Sequence, residues 1–580
     1  MKQRRMAPVV MIPDLCGALL VEPTEITAVP GALADGVPWD FALETVDRWA
    51  ADTVALSRRP SGARLSAGFQ VSVDGTGRSA VAVADQPSAA RLARVLSSCS
   101  ERDSFGEVAK SVQTLSQEPA VADRAVMECF YGPGWSAMDR RDVINRVASH
   151  GATTYVYGPA ADLRTGARWR EPYSAEGGTE LATLVQDAHL RGMEVVWRVS
   201  PGAPLDRTKA MALSDVDELE TLLKRIDEVV DLGCDRVLVA FDDIDSNLDP
   251  ATQSTFAHDL HPMAAAHARV LNAVARRLAE RGVRMLACPT HYWGVRGSTY
   301  RHRLGDLLDA GVDVCWTGSA VTSAIIRADQ VQRVTEQFQH RLWLWDNFPV
   351  NDWDGIGRAF VNEMAPRRLP LAALHGREPE VATLVAGYGS NAALQPRAGL
   401  PAVCTALDWA WAPRQYRPER SLAVAFDETG LDRWALNALA DASGPVAAGS
   451  RGPGALAAAC AELIASEGSG RGRKARIEHA REVVAHHEAA ALALGRSAGA
   501  LSKEIGPWVD ELARACRGAM LALDVLGAYE EDQDTVDDRA IQLRGMIRPG
   551  GRVSVAAGVL DSLVDYARGL AAGGAPTWPG

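Results

Sequence analysis

The chemistry in this sequence is densest at Val237-Leu-Val-Ala-Phe-Asp242-Asp243-Ile244, with Asp245 close behind. An apolar run ends there in two adjacent carboxylates. Burial raises a carboxylate pKa, and two neighbouring carboxyls resist double ionisation. Such a pair can hold one proton near neutral pH and serve as acid and base together. A metal site and carboxylates that cap the next helix are the alternatives the pair leaves open.

A second set of candidates recurs along the chain. It comprises Glu128-Cys129-Phe-Tyr-Gly132, Tyr157-Gly-Pro and Trp169-Arg-Glu-Pro-Tyr173, followed by Ser200-Pro-Gly202 and Cys288-Pro-Thr-His-Tyr292. Trp316-Thr-Gly318, Trp345-Asp-Asn347-Phe-Pro-Val-Asn-Asp352 and Gly389-Ser-Asn391 complete it. Together they offer donors, acceptors and aromatic faces. A pyranose site needs both, because hydroxyls take polar partners and the apolar sugar face takes a ring.

The elements that carry these residues follow one rhythm. Apolar runs at Ala125–Phe130, Thr153–Tyr157, Glu194–Val199, Arg236–Phe241, Arg284–Cys288, Asp313–Trp316, Leu342–Trp345 and Thr383–Gly387 read as strands. Helical patterns lie between them, at Arg140–Ser149, Gly178–Arg191, Asp215–Asp231, Pro262–Arg281 and Asp329–His340. This alternation predicts βα units and a (β/α)8 barrel, with the polar clusters at its C-terminal mouth.

Three domains are expected: a small α/β domain over 1–120, the barrel over 121–418 and an α-helical domain over 419–580. Ser66–Val73 and Ala80–Val83 read as strands of the first, and Ala89–Ser98 as a helix. Ala455–Ala465, Arg476–Leu494 and Lys503–Leu526 read as helices of the last, whose Ala-rich faces could pair two copies. Gly468–Arg473 reads as a linker, since no strand precedes it and the Lys-Ser/Thr of a phosphate loop is missing. His486, His487 and Glu488 form no HExxH motif and read as a solvated helix face.

Composition narrows the function. The 580 residues hold 61 Lys+Arg and 73 Asp+Glu, a net charge of −12. That argues against general nucleic-acid binding, which needs a basic face. Trp (15) outnumbers Tyr (10) and Phe (10), as stacking surfaces or a Trp-rich core would require. The nine cysteines lie at least 27 residues apart, with no CxxC, so neither a zinc site nor a cofactor is expected. A reducing, cytoplasmic location is expected. No apolar run is long enough for a membrane span, and Asp14, Pro8 and Pro13 break the N-terminal apolar stretch.

The ordered motifs over about 120–420 resemble glycoside hydrolase family 84, the β-N-acetylglucosaminidases that include protein O-GlcNAcases and bacterial hyaluronidase-like enzymes. The family pattern EGFYGxPW is matched by Glu128-Cys-Phe-Tyr-Gly-Pro-Gly-Trp135. YAPKDD and WREPY are matched by Tyr157–Asp162 and Trp169–Tyr173. SPG, FDDI, PTEY, WTG and WDNxPVND are matched by Ser200–Gly202, Phe241–Ile244, Pro289–Tyr292, Trp316–Gly318 and Trp345–Asp352.

The resemblance implies retaining, substrate-assisted hydrolysis of a carbohydrate or glycoconjugate, in which the 2-acetamido carbonyl attacks the anomeric carbon and forms an oxazoline. It implies that Asp242 orients the acetamide N–H and that Asp243 is the general acid and base. Tyr292 and Asn347 would hold the acetamide oxygen, and Asp352 and Asn391 the O4 and O6 hydroxyls. Cys129, Trp316 and Tyr157 would line the sugar pocket.

The chain also departs from the family. Cys129 stands for Gly, Ala160 for Lys, Ala161 for Asp and His291 for Glu. The Gly-Pro after the seventh strand is missing near Leu371–Gly376, although Gly376-Arg377 remains. The Gly and Lys changes fall on the O3 side of the sugar. Loss of one charged hydrogen bond there costs about 1.5–3 kcal/mol, or roughly 10–100-fold in affinity. An amino sugar altered at O3, or a catalytically reduced sugar-binding scaffold, is the alternative.

Overall fold

The computed structural model describes residues 118–244, 247–352, 368–443, 454–465 and 471–528, with shorter stretches at 25–26, 69–73, 78–83, 87–88, 90–91, 114–117, 536, 538–539, 541–543, 555 and 559–571. Asp245, most of the expected helix Ala89–Ser98 and residues 468–470 of the expected linker lie outside the described residues. The chain divides into two compact units. One holds Met1–Phe348, Gly376–Ala392 and Val403–Ser421, and the other Pro349–His375, Ala393–Ala402 and Leu422–Gly580.

The first unit carries a four-stranded sheet and a closed barrel. The sheet has the order β1 (Glu25–Ile26), β3 (Arg78–Val83), β2 (Phe69–Val73), β4 (Thr114–Gln117). The barrel is formed by β5 (Asp123–Glu128), β6 (Thr154–Tyr157), β7 (Glu194–Val199), β8 (Arg236–Ala240), β9 (Arg284–Cys288), β10 (Asp313–Trp316), β11 (Leu342–Asp346) and β12 (Gly387–Asn391). All its neighbours pair in parallel, and β12 closes on β5 with Gly387 opposite Asp123. The architecture is the expected (β/α)8 barrel.

Successive strand residues face opposite sides. Ala125, Met127, Val156, Val196, Leu238, Ala240, Leu286, Cys288, Cys315, Trp343 and Trp345 therefore form one interior cluster. Toward the N-terminal end, Arg236 donates to both Asp123 oxygens at 2.6 and 3.0 Å, and the Trp343 indole N–H donates to Asp123 at 2.8 Å. Helices on the outer face begin at side-chain caps: Ser136 and Asp139 form a capping box, Ser174 caps Ala175–His189 and Asp215 caps Val216–Asp231.

The last strand differs from expectation. It lies at Gly387–Asn391; of the expected Thr383–Gly387 only Gly387 belongs to it, and Thr383 and Leu384 end the helical turn Val381–Leu384. Packing explains the glycines. A Cβ at Gly387 would lie 2.2 Å from Trp343 Nε1, and one at Gly389 2.1 Å from Trp343 Cη2. Only a strand without side chains there can pass the Trp343 indole inside the barrel.

The second unit is built on helices. Arg433–Ser443, Ala455–Ala465, Arg471–Gly495, Ala500–Ala528 and Val559–Ala571 are among its described helices. Leu436, Leu439, Cys460, Leu463, Val484, Trp508, Leu512, Cys516 and Leu523 belong to its core. Arg471–Arg473 open a helix rather than a linker. His487 is also not solvated. It is buried, its Nδ1 meets Val483 O at 2.8 Å and its Nε2 meets Asp441 Oδ2 at 3.0 Å. Adjacent helical residues are about 100° apart around the axis, so His486 and His487 do not share one face; His486 packs edge-on to Trp434 instead.

Candidate active site

Strand β8 delivers the two carboxylates to the C-terminal mouth in unlike environments. Asp242 continues the interior parity of Leu238 and Ala240 and is 8% exposed. Asp243 turns out of the strand at φ +54° and is exposed. A left-handed backbone at a non-glycine residue is strained, and Asp and Asn tolerate it best. The turn sends two adjacent carboxylates in different directions from one strand end.

Arg198 reaches Asp242 from the interior side of β7. Its Nη2 lies 2.9 Å from both Oδ1 and Oδ2. Burial pushes the Asp242 carboxyl above its ordinary pKa; the Arg198 charge pulls it back and Asp243 adds to the rise. Burial disfavours the Arg198 charge too, but Asp242 overrides it and the guanidinium stays protonated. The Arg198 guanidinium carbon sits 5.7 Å from the centre of the Trp345 ring.

Two phenols hold Asp243. Tyr292 donates to Oδ1 at 2.6 Å and Tyr131 to Oδ2 at 3.1 Å. Burial first, then the carboxylates, raises both phenol pKa values well above the ordinary range, so both phenols remain donors. Tyr292, expected to hold an acetamide oxygen, is engaged with Asp243 in this state.

Asn347 and Asn391 come together. Asn391 Nδ2 donates to Asn347 Oδ1 at 2.9 Å, and Trp345 Nε1 donates to the same oxygen at 2.9 Å. Asn347 Nδ2 is fixed on Val321 O at 2.8 Å. The Asn391 Oδ1 atom is buried without a hydrogen-bond partner. Cys129 is half-buried and packs against the interior cluster, where burial pushes its thiol pKa up.

Other expected site residues have different places. Trp316 is fully buried, and its indole N–H donates to Gly294 O at 3.1 Å. It follows the interior residue Cys315 and so faces away from the barrel interior. Tyr157 follows the interior residue Val156 in the same way, and its hydroxyl donates to Asp162 at 3.0 Å. Neither belongs to the interior cluster that carries Cys129. Glu128 also turns outward: it accepts from Arg140 at 2.8 and 2.9 Å, Tyr155 at 2.7 Å and the Trp135 N–H at 3.1 Å. Asp352 is buried and belongs to the second unit. His291 meets Ser298 at 2.7 Å, and among the described residues no cluster of His, Cys, Asp or Glu could hold a metal ion.

Sequence reasoning passed over Arg198 and gave Tyr131 no role. A charge inside the apolar run Val195-Val-Trp-Arg-Val199 was the signal for the first. The motif that contains Cys129 was the signal for the second.

Paired carboxylates at the C-terminal mouth of a parallel barrel stand where enzymes of this fold class carry their active sites. A family model described as beta-N-acetylglucosaminidase matches residues 124–441, more than half of the chain, and the chain belongs to that family. Protein O-GlcNAcase of Rattus norvegicus and that of Mus musculus are each 31% identical over 290 residues, 49% of this chain and 29% of theirs. The match thus spans under a third of those relatives. Among solved structures, a mutant of Thermobaculum terrenum O-GlcNAc hydrolase aligns with a TM-score of 0.68 at 24% identity, over 77% of this chain and 95% of its own. CpGH84B aligns with a TM-score of 0.71 at 17% identity, over 94% and 99%. At these identities the likeness is one of fold.

Proposed function

We propose that the chain removes a β-linked N-acetylglucosamine, or a related 2-acetamido sugar, by retaining, substrate-assisted hydrolysis. The observation that carries this reading is the asymmetry of the pair. Asp242 is buried and ion-paired, as suits a fixed acceptor for an acetamide N–H. Asp243 is exposed and held by two phenols, as suits a group that exchanges protons with a leaving group and with water.

In the first step the acetamide oxygen attacks C1, the glycosidic C–O bond breaks and Asp243 delivers its proton to the departing oxygen. In the second step Asp243 takes a proton from water, the water oxygen bonds to C1 and the oxazoline C1–O bond opens. Asp242 keeps the acetamide nitrogen in place through both steps, an advantage of proximity. Asn347 and Asn391 act together as a polar wall for the sugar.

A fluorogenic β-GlcNAc glycoside tests the reading. Turnover that GlcNAc-thiazoline blocks and that Asp243→Asn abolishes is expected. Absent turnover and absent thiazoline binding would overturn it in favour of a scaffold. Cys129, packed against the interior cluster at the end of β5 where the family pattern has Gly, supports a second reading, altered specificity on the O3 side. Comparing 3-substituted and plain GlcNAc glycosides on the wild type and on Ala160→Lys tests that: a Lys variant that gains nothing on plain GlcNAc counts against it.

Among the described residues seven cysteines are free, which supports a reducing location such as the cytoplasm. No described helix is long and apolar enough to cross a membrane. Sedimentation of the full chain tests whether the C-terminal helices pair two copies.

A further inference from the structure

We propose that Arg198 is a positioning residue of the reaction, holding the Asp242 carboxylate ionised and anchored where it receives the substrate's amide N–H. The inference rests on the role given to Asp242 above and adds a residue to it.

Three observations carry it. First, one nitrogen, Nη2, lies 2.9 Å from both oxygens of Asp242. That anchors the carboxylate end-on against one cation and leaves acceptor capacity on each oxygen. Second, the pair is largely buried: Arg198 and Asp242 are each 8% exposed. A buried carboxylate without a counter-charge takes up a proton instead of staying ionised. A protonated Asp242 could neither stabilise positive charge on the acetamide nor serve as a charged acceptor.

Third, the surroundings are cut to admit Arg198. Gly158 stands where the family pattern YAPKDD has Ala. A Cβ there would lie 2.6 Å from Arg198 Cβ and 2.8 Å from Arg198 Cδ. The small residue at the end of β6 and the large cation at the end of β7 belong together.

The titratable groups around Asp242 are Asp243 on its own turn, Cys129 from the end of β5, Cys288 from β9, and Tyr131 and Tyr292 from the loops that follow. Asp243, Cys129, Tyr131 and Tyr292 can only add negative charge by losing a proton, and so can Cys288. Arg198 supplies the opposing charge.

The experiment is the pH profile of kcat/KM on a fluorogenic β-GlcNAc glycoside for wild type, Arg198→Met and Arg198→Lys. In Arg198→Met the acid limb is expected to move up by about 1–3 pH units, the shift an adjacent opposite charge produces. Arg198→Lys is expected to return it most of the way. A uniform loss at every pH, with the limb unmoved, would overturn the proposal and leave Arg198 a structural residue.

If Arg198→Met fails to fold, Arg198→Gln, which keeps donors and removes charge, replaces it under the same two outcomes. Thermal unfolding separates this inference from the proposed activity. The gap in unfolding temperature between wild type and Arg198→Met is expected to shrink as pH falls, because the unpaired Asp242 takes a proton, and to lose its pH dependence when both carry Asp242→Asn. A gap independent of pH overturns the clamp even in an active enzyme. A pH-dependent gap in a protein that turns over no glycoside counts against the proposed activity and not against the clamp.

Discussion

The Tyr292 hydroxyl lies 2.6 Å from Asp243 Oδ1, while Tyr131 approaches the other oxygen at 3.1 Å. Asp243 thus stands between two phenols that enter from different strand ends, β9 and β5. Each phenol fixes one carboxylate oxygen. Removing the shorter bond takes away a charge-assisted contact, worth about 1.5–3 kcal/mol. Tyr292→Phe is expected to lower kcat/KM roughly 10–100-fold, and Tyr131→Phe by less. Steady-state kinetics on a β-GlcNAc glycoside gives the order. A larger loss in Tyr131→Phe would show that the longer bond governs Asp243.

Asp243→Asn separates chemistry from backbone strain. The residue sits at φ +54°, a conformation that Asn adopts readily. The variant should unfold within a few degrees of wild type. General acid–base catalysis contributes about 10²–10⁴-fold, and a loss of that size is expected for a poor leaving group. Glycosides of acidic phenols need little help in departure and should lose less in the first step. A loss independent of leaving group would argue that Asp243 does not donate the proton.

Gly389 ties the eighth strand to the barrel interior. A Cβ at this position would meet Trp343 Cη2 at 2.1 Å and Met127 Sδ at 2.6 Å. Overpacking of this kind costs about 1–3 kcal/mol, and Asn391 is two residues away on the same strand. Gly389→Ala is expected to lower both the unfolding temperature and the activity. Adding Trp343→Leu to make room should return part of the stability. If Gly389→Ala unfolds like wild type, the strand has slack that this packing does not suggest.

The same strand shows where sequence reasoning lost the fold. Strands such as Glu194–Val199 and Arg284–Cys288 were legible because apolar runs bounded by turns specify buried parallel strands. Gly387-Tyr-Gly-Ser-Asn391 has no such run. Its glycines answer to Trp343, more than forty residues earlier, and Thr383–Gly387, which overlaps the strand only at Gly387, offered a better local pattern. In the site, the adjacent carboxylates stood out by type. For Trp316 and Tyr157 an aromatic residue at a strand end was read without its parity, which sets them outside the interior cluster. Arg198 was missed because its partner Asp242 lies on another strand. Local pattern carries burial and period, but not the identity of a neighbour that the fold supplies.

Acid stability should depend on His267, which packs directly behind the strand end that bears the carboxylates. Its ring stacks on Phe241 at 4.2 Å and 4°, its Nδ1 meets the Tyr300 hydroxyl at 2.8 Å, and its Nε2 is buried without a hydrogen-bond partner. Burial, with smaller effects from His261 and His291, pushes its pKa from 6.5 down to about 3. An unfolded chain therefore binds a proton at this residue near pH 6.5 that the folded chain refuses until about pH 3. Stability from this group is complete above the upper value and declines as pH falls through the window between them. His267→Gln removes the titration while retaining a polar partner for Tyr300. The variant is expected to be less stable than wild type at neutral pH and to lose less on acidification, so the two unfolding temperatures converge toward pH 4. Parallel curves would place the acid sensitivity elsewhere. Convergence would show that the residue supporting Phe241, and through it the turn to Asp242 and Asp243, also limits the protein in acid.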